Sequence, residues 1–198
     1  MRIAVAQDLW GSKNSAKILC FIVKFLGSDL LILLGNTISP GIIEWLISSC
    51  NLRVLGVLSR YDNAAVAVTL SKRNSLLECK SVEYSGISLL GVGVSGCQQV
   101  MLEKADIVFS SLPGLHYTCC HPCSDRVDVI IEGVKPKLIV TGECEKPCFI
   151  PNTSVFSPGS LKLGFLGLLE ISSNKEIQVH SVNVEKLLIK LNSPIRIY

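Results

Sequence analysis

Charge is scarce in this sequence. Asp, Glu, Lys and Arg make up 18% of its 198 residues, and 19 basic against 16 acidic side chains leave a net charge of only +3 with no dense Lys/Arg run. A dedicated nucleic-acid surface needs a basic patch or stripe, so none is indicated. Long apolar runs are missing as well. The longest, Ile18 to Leu26, is broken by Lys24 and falls well short of the roughly 20 residues that span a bilayer. The opening stretch Ile3 to Ala6 is too short for the apolar region of a secretory leader, and a cytoplasmic protein is expected. With no repeat, low-complexity tract or linker, the length predicts one domain over 1–198.

What the chain does have is apolar mass. Hydrophobic residues account for 48% and mean hydropathy is +0.46, which implies either a generous core or an apolar patch that a protein partner covers. Nine cysteines are many for a reducing cytosol, and the odd number leaves at least one unpaired within the chain. Cys20, Cys50, Cys79 and Cys97 lie in apolar or turn settings and read as buried free thiols, which pack as small hydrophobes. Cys119, Cys120, His121 and Cys123 form a tighter group, with Cys144 and Cys148 further on. Zinc ligation, disulfides of the kind found in hyperthermophile proteins and inert loop thiols are all open, inert thiols being the simplest.

Apolar strands alternate with helical patterns through the first 60 residues: strand 2–6, helix 15–26, strand 29–34, helix 40–49, strand 52–58. That order is the mark of βαβ units around a sheet buried on both faces. A helix over 63–73 follows, then short β segments at 76–84 and 87–93. Helix 98–105, strand 106–110, helix 124–134 and strand 137–142 come next. The last third reads as strands 147–150, 153–156, 161–171 and 177–182 with a short helix at 184–191. Two mixed sheets packed face to face with helices outside, a four-layer α/β sandwich, account for this order.

Polar residues stand where the apolar runs stop. Asp8 follows RIAVAQ, Asn36 follows LLILLG, Arg60, Tyr61 and Asp62 follow RVLGVLS, Ser111 follows DIVFS, and Glu143 and Glu145 follow KLIVTG. In a parallel sheet these positions share the carboxyl edge, where open α/β folds place their ligand sites. His116, His121 and His180 fall outside the set. GVGVSG, from Gly91 to Gly96, opens no clear helix and reads as a turn rather than a dinucleotide loop.

Segment by segment this layout resembles the calcineurin-like metallophosphoesterases, whose motifs run D-x-H, G-D, G-N-H-D/E, a lone H and G-H-x-H. MRIAVAQDLWGS looks like the first, with Asp8 in place and Trp10 where the His would stand. SDLLILLGN looks like the second, with Asn36 for the bridging Asp. VLGVLSRYDN supplies Ser59, Arg60, Tyr61 and Asp62 for the third. DIVFSSLP places Ser111 at the lone His, and KPKLIVTGECEKP places Glu143 and Glu145 at both His of the last motif. VFSPGSLKLGFLGLLEI is similar to the family's asparagine-proline-glycine-serine turn, with Ser157 for the Asn. The resemblance implies a degenerate member of that superfamily.

A two-ion phosphoesterase needs a dense set of carboxylates and imidazoles. Here only Asp8 matches in kind, Trp10 and Tyr61 put bulky rings at ligand positions, and Arg60 puts a fixed cation among them, which repels a divalent ion. The expected reading is a catalytically inactive phosphoesterase-like domain serving as a binding or scaffold subunit, with no cofactor and with Arg60 paired to Asp8, Glu143 or Glu145. The resemblance supplies precedent, since degenerate members include small subunits of replicative DNA polymerases and a retromer subunit. The alternative is a metal-dependent phosphodiesterase or phosphatase with a rebuilt, carboxylate-rich site in which Asp8, Asn36, Glu143 and Glu145 hold Mn²⁺ or Mg²⁺.

Overall fold

The computed structural model describes residues 1–94, 97, 104–115 and 125–191. The chain opens with β1 (Arg2–Ala6), α1 (Lys13–Phe25), β2 (Leu30–Leu34), α2 (Pro40–Ser49), β3 (Arg53–Val57) and α3 (Ala64–Lys72). Every residue of β2, LLILL, is buried, as a strand covered on both faces requires. Local chemistry starts each helix. The side chains of Ser12 and Asn63 accept from the backbone N–H of Ser15 and Val66, and Pro40 occupies the first turn of α2, where its missing N–H costs nothing.

β4 (Ser81–Tyr84), β5 (Ile87–Val92), β6 (Ile107–Ser110), α4 (Asp125–Val134), β7 (Leu138–Thr141), β8 (Cys148–Ile150) and β9 (Val155–Ser157) follow. The chain then returns through β10 (Phe165–Ile171) and β11 (Ile177–Asn183) to α5 (Val184–Lys190). The strand expected over 161–171 begins late, because Leu161–Leu163 is a 3-10 turn that ends at Gly164 with φ 80°, a conformation glycine adopts freely. The helix expected at 98–105 lies mostly outside the described residues, as do His116, His121, Cys119, Cys120 and Cys123.

A 5-stranded sheet runs β11-β10-β1-β2-β3 and a 6-stranded sheet β4-β5-β6-β7-β9-β8. Both are mixed. β1, β2 and β3 are parallel with β10 antiparallel to β1, while β5, β6, β7 and β9 are parallel and flanked by antiparallel β4 and β8. Alternation along the strands divides the apolar side chains into layers. Ile3, Val5, Ile32 and Val57 of the first sheet meet Leu89, Ile107, Phe109 and Val140 of the second. Ala4, Leu31 and Leu33 instead face Leu19 and Ile22 of α1, Ile43 of α2 and Leu188 of α5, and Val108 and Ile139 face Val127 and Ile131 of α4. The result is the helix-sheet-sheet-helix sandwich expected from sequence, and it leaves the carboxyl ends of the parallel strands at one edge.

The expected free thiols are disulfides instead. Cys20 on α1 is bonded to Cys50 at the end of α2, and Cys79 to Cys97, each pair with Cα atoms 5.3 Å apart. An apolar setting favours thiols, but cysteines at that Cα distance meet the geometric requirement of a bridge, whether buried as Cys20 and Cys50 are or half-buried as Cys79 and Cys97 are. Cys144 and Cys148 are disulfide-bonded too, which removes their sulfurs from the zinc site considered above. No helix among the described residues is long and apolar enough to cross a membrane.

Candidate functional site

The loops after β1, β2, β3 and β7 meet at the carboxyl edge, and their backbones are unusually strained. Asp8, Trp10, Asn36, Ile38 and Glu143 all have φ between 50° and 65°, a region that non-glycine residues seldom occupy and that tends to be stored at functional sites. Cross-loop hydrogen bonds hold them there. The Trp10 amide donates to the Asn36 carbonyl at 2.9 Å, Gly11 to Thr37 at 3.1 Å, and Glu143 to the Gln7 side-chain oxygen at 2.8 Å, while Gln7 donates back to the Cys144 carbonyl at 2.7 Å. Gln7 is fully buried. Sequence reading passed over it in favour of its neighbour, although a lone buried amide at the end of an apolar strand signals such a tie, since it must find partners.

Asp8 and Asn36 bond to each other. Nδ2 of Asn36 donates to Oδ1 of Asp8 at 2.7 Å, and its Oδ1 accepts from the Ser59 hydroxyl at 2.6 Å. Asp62 is the anchor of the neighbouring loop. Its carboxylate accepts from the amides of Asn36, Ile38 and Ser59 at 2.8–3.0 Å and lies 2.9 Å from the Ser59 hydroxyl. The residue in the family's last motif position of that segment therefore serves loop architecture.

Arg60 reaches across to Glu143, with Nη2 and Oε2 3.1 Å apart and the two side chains 39% and 11% exposed. Its guanidinium also lies over the Tyr61 ring, 5.5 Å from the centroid, and Tyr61 meets Trp10 with ring centroids 5.2 Å apart. Both rings are about half exposed. The mouth of the cleft is thus occupied by two aromatic rings and a cation. Ser111 is buried and its carbonyl closes on Gly142, where an added Cβ would come within 2.7 Å of it.

Glu145 departs from the expected set. Its side chain is exposed and makes no hydrogen bond or ion pair among the described residues, because the chain turns between Glu143 and Glu145 and uses the Glu145 carbonyl to hold Ser160 at 2.9 Å. His180, at the far side of the first sheet, pairs with Glu170 at 3.2 Å.

These residues do not fit a two-ion centre. Asp8 is engaged by an amide N–H, Glu143 by a guanidinium, Asp62 by its own loops, and among the described residues no three His, Cys, Asp or Glu side chains group closely enough to hold a metal ion. One feature points the other way: Oε1 of Glu143 is buried without a hydrogen-bond partner among the described residues.

No protein-family model and no curated protein matches the sequence. Solved structures do match in fold. The chain is similar to an archaeal phosphodiesterase at 13% identity and TM-score 0.62, covering 92% of this chain and 100% of that one. It is similar to GAP50, the anchor in the inner membrane complex of Plasmodium, at 14% identity and TM-score 0.61, covering 94% and 85%. Vacuolar Protein Sorting 29 from Cryptosporidium parvum follows at 13% identity and TM-score 0.52, covering 92% and 97%. At these identities the likeness is one of fold, a metallophosphoesterase-like sandwich of two mixed sheets.

Proposed function

We propose that this chain is a catalytically inactive phosphoesterase-fold domain that works as a binding or scaffold subunit. The observation that carries the reading is the hydrogen bond between Asn36 and Asp8. The amide at the bridging position turns its N–H toward the carboxylate that a metal would need, so the pair satisfies itself. The Arg60–Glu143 ion pair neutralises the opposite wall. The surface of α1 agrees, since Phe21 and Phe25 are exposed one helical turn apart, and neighbouring apolar groups left in water favour partner burial. Among the fold relatives, one is named as an anchor in a membrane complex and one as a vacuolar sorting protein.

The partnerless Oε1 of Glu143 favours the second reading, a phosphoesterase with a rebuilt site on Asp8, Asn36 and Glu143 using Mn²⁺ or Mg²⁺. Hydrolysis of a generic phosphodiester with and without Mn²⁺ separates the two. The scaffold reading expects no turnover above buffer. Mn²⁺-stimulated turnover that Asp8→Ala abolishes would establish the enzyme.

A further inference from the structure

A cavity of about 500 Å³ opens between the starts of α1 and α2, beside the loops of the cleft, and is lined by Gly11, Lys13, Lys17, Ser39, Gly41 and Trp45 among others. Small-molecule sites have volumes of this order. Its charge is one-sided. Lys13 and Lys17 sit one helical turn apart on α1, which carries no acidic residue, and neither lysine forms an ion pair among the described residues. The one acid of α2, Glu44, is already taken by both the Nε and the Nη2 of Arg73. Two exposed lysines therefore border the cavity without an acidic partner among the described residues. The Ser39 hydroxyl is also left over, since it makes no capping bond to α2. Trp45 supplies the apolar wall and is itself packed against the core beneath the helices, so its ring is a fixed surface.

We infer that this cavity binds a phosphorylated small molecule bearing a flat ring, of the mononucleotide type. The phosphate is held by Lys13, Lys17 and the Ser39 hydroxyl, and the ring lies against Trp45. Charge-assisted hydrogen bonds from two lysines fix an anion, and an aromatic ring adds a stacking surface for a base. Lys13, Lys17, Ser39 and Trp45 make no hydrogen bond or ion pair to Asp8, Asn36, Arg60 or Glu143, so the inference stands whether or not that cleft binds metal.

The chain has only two tryptophans, so Trp10→Phe leaves Trp45 as the sole reporter. Its fluorescence should be titrated in EDTA with AMP, inorganic phosphate, adenosine and a glutamate-rich peptide. The expected result is a saturable change with AMP, at lower concentration than with either phosphate or adenosine alone. Lys13→Gln with Lys17→Gln should weaken AMP by roughly tenfold or more, the scale of one lost charge-assisted hydrogen bond. Ser39→Asp supplies a control for folding. Asp is a favoured residue at that helix start, so the melting temperature should hold while AMP binding is lost by repulsion. No saturable change, equal response to AMP and phosphate, tighter binding of the peptide, or AMP binding that survives Ser39→Asp would each overturn the proposal.

Discussion

Asp62 carries more of the cleft than any other side chain, because it satisfies the amides of Asn36, Ile38 and Ser59 together. Asp62→Ala leaves those donors without their acceptor and should cost about 2–3 kcal/mol, which in a chain of this size is a fall in melting temperature of very roughly 4–12 °C. Asn36→Asp tests the pair with Asp8. It replaces a donor 2.7 Å from a carboxylate with a second acceptor, so stability should fall by about 2–4 kcal/mol without metal; an unchanged thermal melt would show that the pair is not closed. Arg60→Ala should cost less, about 1 kcal/mol, because the Arg60 side chain is 39% exposed and exposed pairs contribute little. Glu143→Gln in that background should restore part of the loss. At this scale the sequence was legible where chain order alone places a residue: Asp8, Asn36, Arg60 and Glu143 each end a parallel strand or begin its loop. It was not legible for Glu145, since a loop's path after the strand is set by tertiary hydrogen bonds such as Ser160 to the Glu145 carbonyl.

At the scale of elements, alternating strands and helices were readable because burial on both faces leaves continuous apolar strands such as β2, while β10 was misjudged at its start because a 3-10 turn of Leu, Lys and Leu has the same local composition as a strand. Segment 75–79 shows how tightly the elements are joined. Leu77 donates to Gly56 of β3 and Cys79 to Gly91 of β5, both at 2.9 Å, and a Cβ on Gly91 would lie 1.7 Å from the Leu77 carbonyl oxygen. Gly91→Ala should therefore prevent folding to the native sandwich, seen as loss of the cooperative melt. The pair at the opposite edge responds to pH. Burial raises the Asp106 pKa, but the hydrogen bond from Lys137, the Ser88 amide and the charges of Lys137 and Lys175 outweigh it, so the net shift is downward from 3.8. A carboxyl whose folded value is depressed adds stability above its unfolded value and loses it as pH falls through the folded one. Asp106→Asn should accordingly lower stability at neutral pH and flatten its fall below about pH 4, so that the two proteins converge in acid.

For the whole molecule, disulfides and cleft both bear on what the chain is for. The bridges close loops with separations of 30 and 18 residues, each stabilising by about 3 kcal/mol through restriction of the unfolded chain. Dithiothreitol should lower the melting temperature markedly, whereas an unaltered melt would show that the sulfurs do not pair. Such bridges persist in oxidising compartments and in intracellular proteins of hyperthermophiles. Spacing alone did not identify the bridges, because Cys20 and Cys50 become neighbours only once α1 and α2 pack side by side. The proposed function requires a carboxyl edge closed by its own side chains. Anomalous diffraction from crystals grown in millimolar Mn²⁺ tests it most directly. The account predicts no ordered ion between Asp8 and Glu143, with Arg60 still on the carboxylate. Two anomalous peaks about 3.5–4 Å apart at that position, with Arg60 displaced, would contradict it.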